Sequence, residues 1–445
     1  MRRLLVLVGV LASLNGVAAE RISLEEAIQQ ALRANADIAV ARLEVQRADA
    51  RVREAIGTAL PSIGISANYV RNLQLPVFFL PDFRNPGSGQ LSPVRIGSEN
   101  SFQVQLQATQ VLFSQAVLTG IGAAQIYAQA ARSQYRAVVA RTVTEVRKAF
   151  YAALLARERV EAVRASLARA ERLAQDTRVL ASEGLVADYD ALRAQVQLEQ
   201  LRAALAQAEM AYTAARSQLA LLMGRTQQEP FEPDGTLEVE YRSEPIPAEE
   251  ELWRQALERN FELQTLRLQQ QVQQAIARIY RAESYPLLLG FGNYVYQGQS
   301  PTFSNFLTAR SAAVGVQLQL SLFQGLQTNA RVEQATVEAQ KVQQQESKLQ
   351  EALKLQLRLL RESLRVAQEQ IAAGQSTVQA AERGYEIART RYAAGLGTLL
   401  ELFDADAALR QARTTYVQAL YDWLAARADL EYLTGSVDQR YLERL

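Results

Sequence analysis

Between Leu326 and Tyr392 the chain runs about 67 residues with no proline and only two glycines, Gly374 and Gly384. Glu, Gln, Lys, Arg, Leu and Ala dominate the stretch, the residues that lose least on entering a helix. An unbroken helix of that length spans roughly 100 Å at ~1.5 Å per residue, about three times the hydrocarbon thickness of a bilayer. It is too polar to sit in lipid and too long for the core of an ordinary globular domain. Tyr392-Ala393-Ala394-Gly395-Leu396-Gly397-Thr398 then marks a glycine reversal, and a second helix returns to Gly435. The fold must accommodate a very long helical hairpin.

The rest of the composition narrows the function. The 445 residues carry a formal net charge of +1, without the basic excess of a nucleic-acid-binding surface. There is no cysteine, so no disulfide framework, thiolate metal site or cysteine-linked lipid. There is no histidine, which removes the commonest general base and metal ligand. No phosphate loop, nucleophile–base pair or metal cluster is legible, so neither catalysis nor a cofactor is expected.

Residues 1–19 read as a secretory signal: Arg2-Arg3, an apolar run from Leu4 to Leu14, and Val17-Ala18-Ala19 before Glu20. The apolar run is too short to span a bilayer, and no later stretch reaches the length of a transmembrane helix.

All eleven prolines lie at or before Pro301, and none falls between Pro93 and Pro230. Two long proline-free arms suggest an internal duplication, and aligning residue i with i+225 finds it. Ala31-Leu32 meets Ala256-Leu257, Asn35 meets Asn260, Pro61 meets Pro286, and Asn68-Tyr69-Val70 meets Asn293-Tyr294-Val295. Leu112-Phe113 meets Leu322-Phe323, Gly184-Leu185 meets Gly395-Leu396, and Gly224 meets Gly435. The offset falls because residues 71–100 of the first copy carry an insert rich in Pro, Gly and Asn, read as a surface loop. The expected division is 20–224 for the first repeat, 225–247 for a linker, 248–435 for the second repeat and 436–445 for a tail. Each repeat begins with one helix (about 23–57 and 248–283). Two short segments follow, then the long helix (about 115–181 and 326–393), a glycine turn and a return helix. Within the linker, Thr236-Leu237-Glu238-Val239-Glu240 looks like a short strand, part of an irregular belt.

The short segments alternate. Ile63, Ile65, Ala67 and Tyr69 are interleaved with Ser62, Gly64, Ser66 and Asn68; Phe102, Val104, Leu106 and Ala108 with Gln103, Gln105, Gln107 and Thr109. Val314 to Leu322 repeats the pattern, and Leu287–Tyr296 follows it poorly. Period two over about ten residues predicts strands long enough to cross a bilayer at a tilt. Their polar face is Gln, Ser and Thr rather than charged, and no third layer covers the apolar face, which favours lipid outside and water inside. Four strands cannot close a barrel, and open edges in lipid leave backbone groups unpaired. Two copies would give a barrel filled by its own side chains; three give twelve strands and room for a channel. Along the first long helix Val139, Val143, Val146, Phe150 and Leu154 recur at spacings mostly of three and four, a seam for neighbouring helices.

At this point the sequence resembles the TolC-like outer-membrane efflux channels over nearly the whole mature chain. The most specific likeness is at the helix turns: Gly184-Leu185-Val186-Ala187-Asp188-Tyr189-Asp190, and Tyr392 through Asp404. The resemblance implies a mainly α protein with a membrane β-barrel portion. Duplicated helical hairpins and four strands per protomer would complete a twelve-stranded barrel and helical tunnel as a homotrimer. It implies an outer-membrane location with the helices in the periplasm, and tips (Gly184, Leu185, Gly395, Leu396) that dock on a periplasmic adaptor joined to an inner-membrane pump. By the motif match Glu401 and Asp404 form acidic rings at the entrance, and Asp190 and Tyr392 belong to the contacts that hold it shut. Gly397 stands where some members carry an arginine, so a closing ion pair from that position to Asp190 cannot form.

Spacing independently allows the rings, since acids at i and i+3 share a helix face and six carboxylates about one axis favour cations. Spacing equally allows solvated helix-start residues favoured by the dipole. The alternative function is a periplasmic coiled-coil adaptor, which should show one hairpin flanked by compact β domains; two hairpins and two strand pairs tell against it.

Overall fold

The computed structural model describes residues 20–81, 89, 91–226 and 230–442. The proposed signal at 1–19 lies outside them. In chain order the elements are β1 (Glu20–Ile22), α1 (Leu24–Ala34), α2 (Ala36–Gly57), β2 (Ser62–Arg71), β3 (Val77–Pro81), β4 (Leu91–Arg95), β5 (Asn100–Ser114), α3 (Gln115–Ser182) and α4 (Asp188–Leu222). Then come β6 (Phe231–Pro233), α5 (Leu237–Glu240), α6 (Glu249–Arg259), α7 (Phe261–Ala282), β7 (Leu287–Ser300), β8 (Leu307–Gln319), α8 (Gln327–Ala393), α9 (Leu399–Thr434) and α10 (Gln439–Leu442). The chain forms two compact units. One comprises 45–131 and 266–345; the other holds the chain up to Glu44, 132–265 and 346–445.

The first unit contains a four-stranded antiparallel sheet in the order β2-β5-β7-β8. Its register sorts the side chains by chemistry. Ile65, Leu106, Tyr294 and Ala312 form one cross-strand row, and Ile63, Ala108, Gly292 and Val314 another on the same face. The opposite face carries Ser66, Gln105, Val295 and Ser311, and Asn68, Gln103, Gln297 and Ala309. Nothing among the described residues covers the apolar face: Ile65 is 74% exposed and Val314 90%. Edge strands β2 and β8 have no outer partner among the described residues.

β7 alternates poorly in sequence because its glycines make room. Gly298 lies opposite Phe102, where a Cβ would come within 2.4 Å of the ring. Gly315 on β8 does the same for Phe291, at 2.6 Å. Glycine beneath a cross-strand ring trades its own packing for an aromatic contact. β8 begins earlier than the alternation predicts and ends at Gln319, so Leu320-Ser321-Leu322 falls outside it. The insert at 71–100, expected as a surface loop, holds a hairpin of β3 paired with β4; residues 82–88 and 90 lie outside the described ones.

Both predicted leading helices are broken in two. Asn35 separates α1 from α2, and Asn260 separates α6 from α7. Each asparagine is extended and buried. The Asn35 side-chain amide donates to Leu222 O (2.9 Å) and that of Asn260 to Leu433 O (3.0 Å). Their Oδ1 atoms accept from the first N–H groups of the next helices, at Asp37 and Leu263. One residue therefore caps a helix and satisfies a carbonyl at the end of another.

The linker is held against the long helices. β1 pairs in parallel with β6. Arg157 of α3 donates to Pro233 O (2.6 Å) and to Gly235 O. Tyr241 stacks edge-on against Trp423 at 4.9 Å, and Arg427 pairs with Glu244 at 2.8 Å. Residues 237–240 are a helical turn, not the strand their alternation suggested. The buried Leu237 anchors that turn, and four residues with no strand beside them gain nothing from extension.

Candidate functional site

The sequence-predicted residues gather where the two long hairpins turn, within the helical unit. In the first turn the Leu185 N–H donates to Leu180 O (2.9 Å) around Gly184, whose φ is +71°. In the second the Leu396 N–H donates to Arg391 O (2.9 Å) around Gly395, also at +71°. Both are left-handed glycine caps of the Schellman type, the conformation that favours glycine. Leu185 and Leu396 project from them, 70% and 73% exposed.

The helices leaving the turns start differently. α4 begins after Ala187, which offers no side-chain cap. α9 begins with a capping box: the Glu401 N–H donates to Thr398 Oγ1 (3.2 Å), and the Thr398 N–H to Glu401 Oε2 (3.4 Å). Glu401 thus has a structural task at the helix start. It and Asp404 are exposed in the single chain.

Behind the turns Leu399 is buried among Ala170, Ala174, Ala194, Leu198 and Leu201, with Tyr392 and Phe403 packed against them. Alanine at the contact positions lets the helices approach closely, and Leu399 fixes α9 against the first hairpin. Beside this cluster lies a cleft of about 1580 Å³ between the hairpin ends, lined by Asp190, Tyr392, Leu185 and Gly395 among others. Glu401, Asp404, Gly184 and Leu396 are not among its lining residues.

Asp190 and Tyr392 share the cleft but make no hydrogen bond to each other. The Tyr392 hydroxyl is buried without a partner. Gly397 leaves little room for a side chain, since a Cβ there would sit 3.2 Å from the Tyr392 backbone nitrogen and from Glu401 Oε2. Arg391 stabilises this turn by donating to Leu396 O (3.1 Å).

The polar link between the hairpins nearest their turns is made in this same cleft by residues the sequence reading did not single out; farther along, Arg147–Glu431, Lys148–Asp429 and Arg159–Gln418 also join α3 to α9. Arg169 of α3 donates through Nε to Asp406 Oδ1 of α9 at 2.6 Å. The same guanidinium donates to Ser166 Oγ (3.0 Å) and lies 5.0 Å over the Tyr385 ring of α8. Arg410 adds a looser approach to Asp406, at 3.7 Å. The Asp406 side chain is only 13% exposed and Arg169 27%. Burial pushes the Tyr385 hydroxyl pKa up, and the Arg169 charge works against that shift. Nothing in the sequence distinguished Arg169 among 48 basic residues; only the packing of α3 on α9 selects it. No described group of acidic residues could hold a metal ion.

Comparison with known proteins agrees with this geometry. The chain is 31% identical to the alkaline protease secretion protein AprF of Pseudomonas aeruginosa over 202 residues, a match spanning 44% of this chain and 41% of that protein. Its fold is similar to the CmeC outer membrane channel of Campylobacter jejuni (TM-score 0.79, 16% identity, covering 95% of this chain and 89% of that one). It is likewise similar to the outer membrane protein VceC of Vibrio cholerae (TM-score 0.74, 18% identity, 93% and 96%). The outer membrane efflux protein family matches residues 27–225 and 252–436, most of the chain and both of its long hairpins. The chain therefore belongs to the outer membrane efflux protein family.

Proposed function

We propose that this protein is a passive exit channel of the outer membrane, serving a tripartite efflux pump or a type I secretion system and gated at its helix tips. One observation carries the reading: a four-stranded sheet with an uncovered apolar face and two unpaired edges. In a bilayer such edges cost several kcal/mol per unsatisfied backbone group, so the protomer must share its barrel with identical copies. Three copies supply twelve strands, and the polar Gln, Ser and Asn face then lines the lumen. Energy comes from an inner-membrane pump through a periplasmic adaptor, for which the exposed Leu185 and Leu396 beside Gly184 and Gly395 offer docking positions. The likeness to a protease secretion protein supports protein export as one cargo class. No observation favours the adaptor alternative.

Within this reading Glu401 and Asp404, exposed on one face of α9, form two stacked acidic rings at the entrance. Asp190 and Tyr392 line the cleft from opposite hairpins, placed to meet when the tips close together. The test uses purified protein in planar bilayers. Wild type should run as a trimer and conduct ions, with block by divalent cations. Glu401→Gln with Asp404→Asn, which retains an acceptor at the helix cap, should weaken that block about tenfold. A monomeric protein that passes no current would overturn the channel; unchanged block would remove these two residues from the constriction.

A further inference from the structure

Asp406 sits on the same helix as the exposed acids but on its other side. At 100° per residue it lies roughly 140° around α9 from Glu401 and roughly 200° from Asp404. One face of α9 therefore shows two exposed carboxylates, that of Glu401 also capping the helix start. The other is fixed to the first hairpin by the 2.6 Å bond from Arg169, whose guanidinium is itself held by buried Ser166 and the Tyr385 ring. Arg169 thus joins α3, α8 and α9 at one point. Asp190 and Tyr392, on opposite hairpins in the same cleft, make no hydrogen bond to each other, and the Tyr392 hydroxyl has no partner among the described residues.

We infer that the Arg169–Asp406 pair is a rotational stop for α9, fixing the direction in which Glu401 and Asp404 point. Both are positioning residues: they line the cleft between the hairpin ends with Asp190 and Tyr392, and act on Glu401 and Asp404 through α9. A charge-assisted bond with one partner this little exposed resists sliding more than a surface pair does, because separation strands a desolvated carboxylate. Rolling α9 would carry Asp406 away from Arg169 and swing the two acids off their axis. The stop rests on the channel reading above, and the experiment separates the two.

Asp406→Asn keeps the shape and removes the charge; Arg169→Asp with Asp406→Arg restores the pair in reverse. Both are measured beside wild type for bilayer conductance, divalent block and trimer melting. Wild-type conductance tests the channel itself. If the stop is real, Asp406→Asn raises resting conductance about twofold or more and weakens divalent block with Glu401 and Asp404 untouched; the reversed pair moves both back toward wild type. If Asp406→Asn lowers only the melting temperature and leaves conductance and block unchanged, the pair is structural and the inference fails. Should the reversed pair not assemble, Arg169→Gln decides: it must match Asp406→Asn in both electrical readouts, and a wild-type profile overturns the proposal.

Discussion

Each helical hairpin ends twice in a left-handed glycine, once at its turn and once where the return helix stops, and the two kinds of end differ in what surrounds them. Gly184 and Gly395 at the turns have φ +71° and no neighbouring atom within 4 Å of an added Cβ. Gly224 and Gly435 at the closing ends have nearly the same φ, +69° and +65°, but a Cβ there would lie 2.4 Å from Ala34 O and 2.2 Å from Arg259 O. The first pair is needed only for its backbone conformation. The second is needed also because another chain segment passes directly over it, at the junction made by Asn35 and Asn260. The comparison separates a locked end, where each repeat is tied to its own leading helices, from a free end, where apolar side chains are presented outward. The channel proposed above, docking and opening at one end while staying assembled, would use both.

The largest expected effect is at the locked end. Gly435→Ala combines left-handed strain with a backbone overlap and should cost about 3 kcal/mol or prevent assembly, read by denaturant unfolding of the detergent-solubilised protein. Asn260→Ala comes next at about 2 kcal/mol, since it strands the buried Leu433 carbonyl and the Leu263 N–H; the same assay checks it. Gly395→Ala should cost only about 1 kcal/mol and leave assembly intact. If it proves as damaging as Gly435→Ala, the turn is covered in the assembled protein by a neighbouring protomer, and the free-end description must be withdrawn.

Most of the architecture was legible from composition and period. Proline exclusion gave α3 and α8 nearly to the residue, because a helix interior tolerates no proline and these stretches are rich in helix formers. Alternation placed β2 and β5. Where it failed, at β7, the cause was glycine beneath aromatic rings, a cross-strand relation that no single strand displays. The breaks at Asn35 and Asn260 were hidden for a similar reason. Both asparagines were visible as repeat matches, but their bonds to Leu222 and Leu433 span 187 and 173 residues.

The candidate site divided along the same line. Glycine turns and exposed acids are local signals, and they located the hairpin ends. The capping role of Glu401 was readable from Thr398 three residues earlier. Arg169 and Asp406 were not readable, because an ion pair between helices 237 residues apart depends on how two rods are rotated against each other.

The sequence by itself therefore determined which segments are rods, which are strands, and that the whole is built twice, since these follow from local backbone preference and side-chain period. Only the tertiary structure decided which of four similar glycines are pinned, and which few of many charges join one hairpin to the other. Those depend on distance and burial between residues far apart in the chain, and no local pattern encodes either.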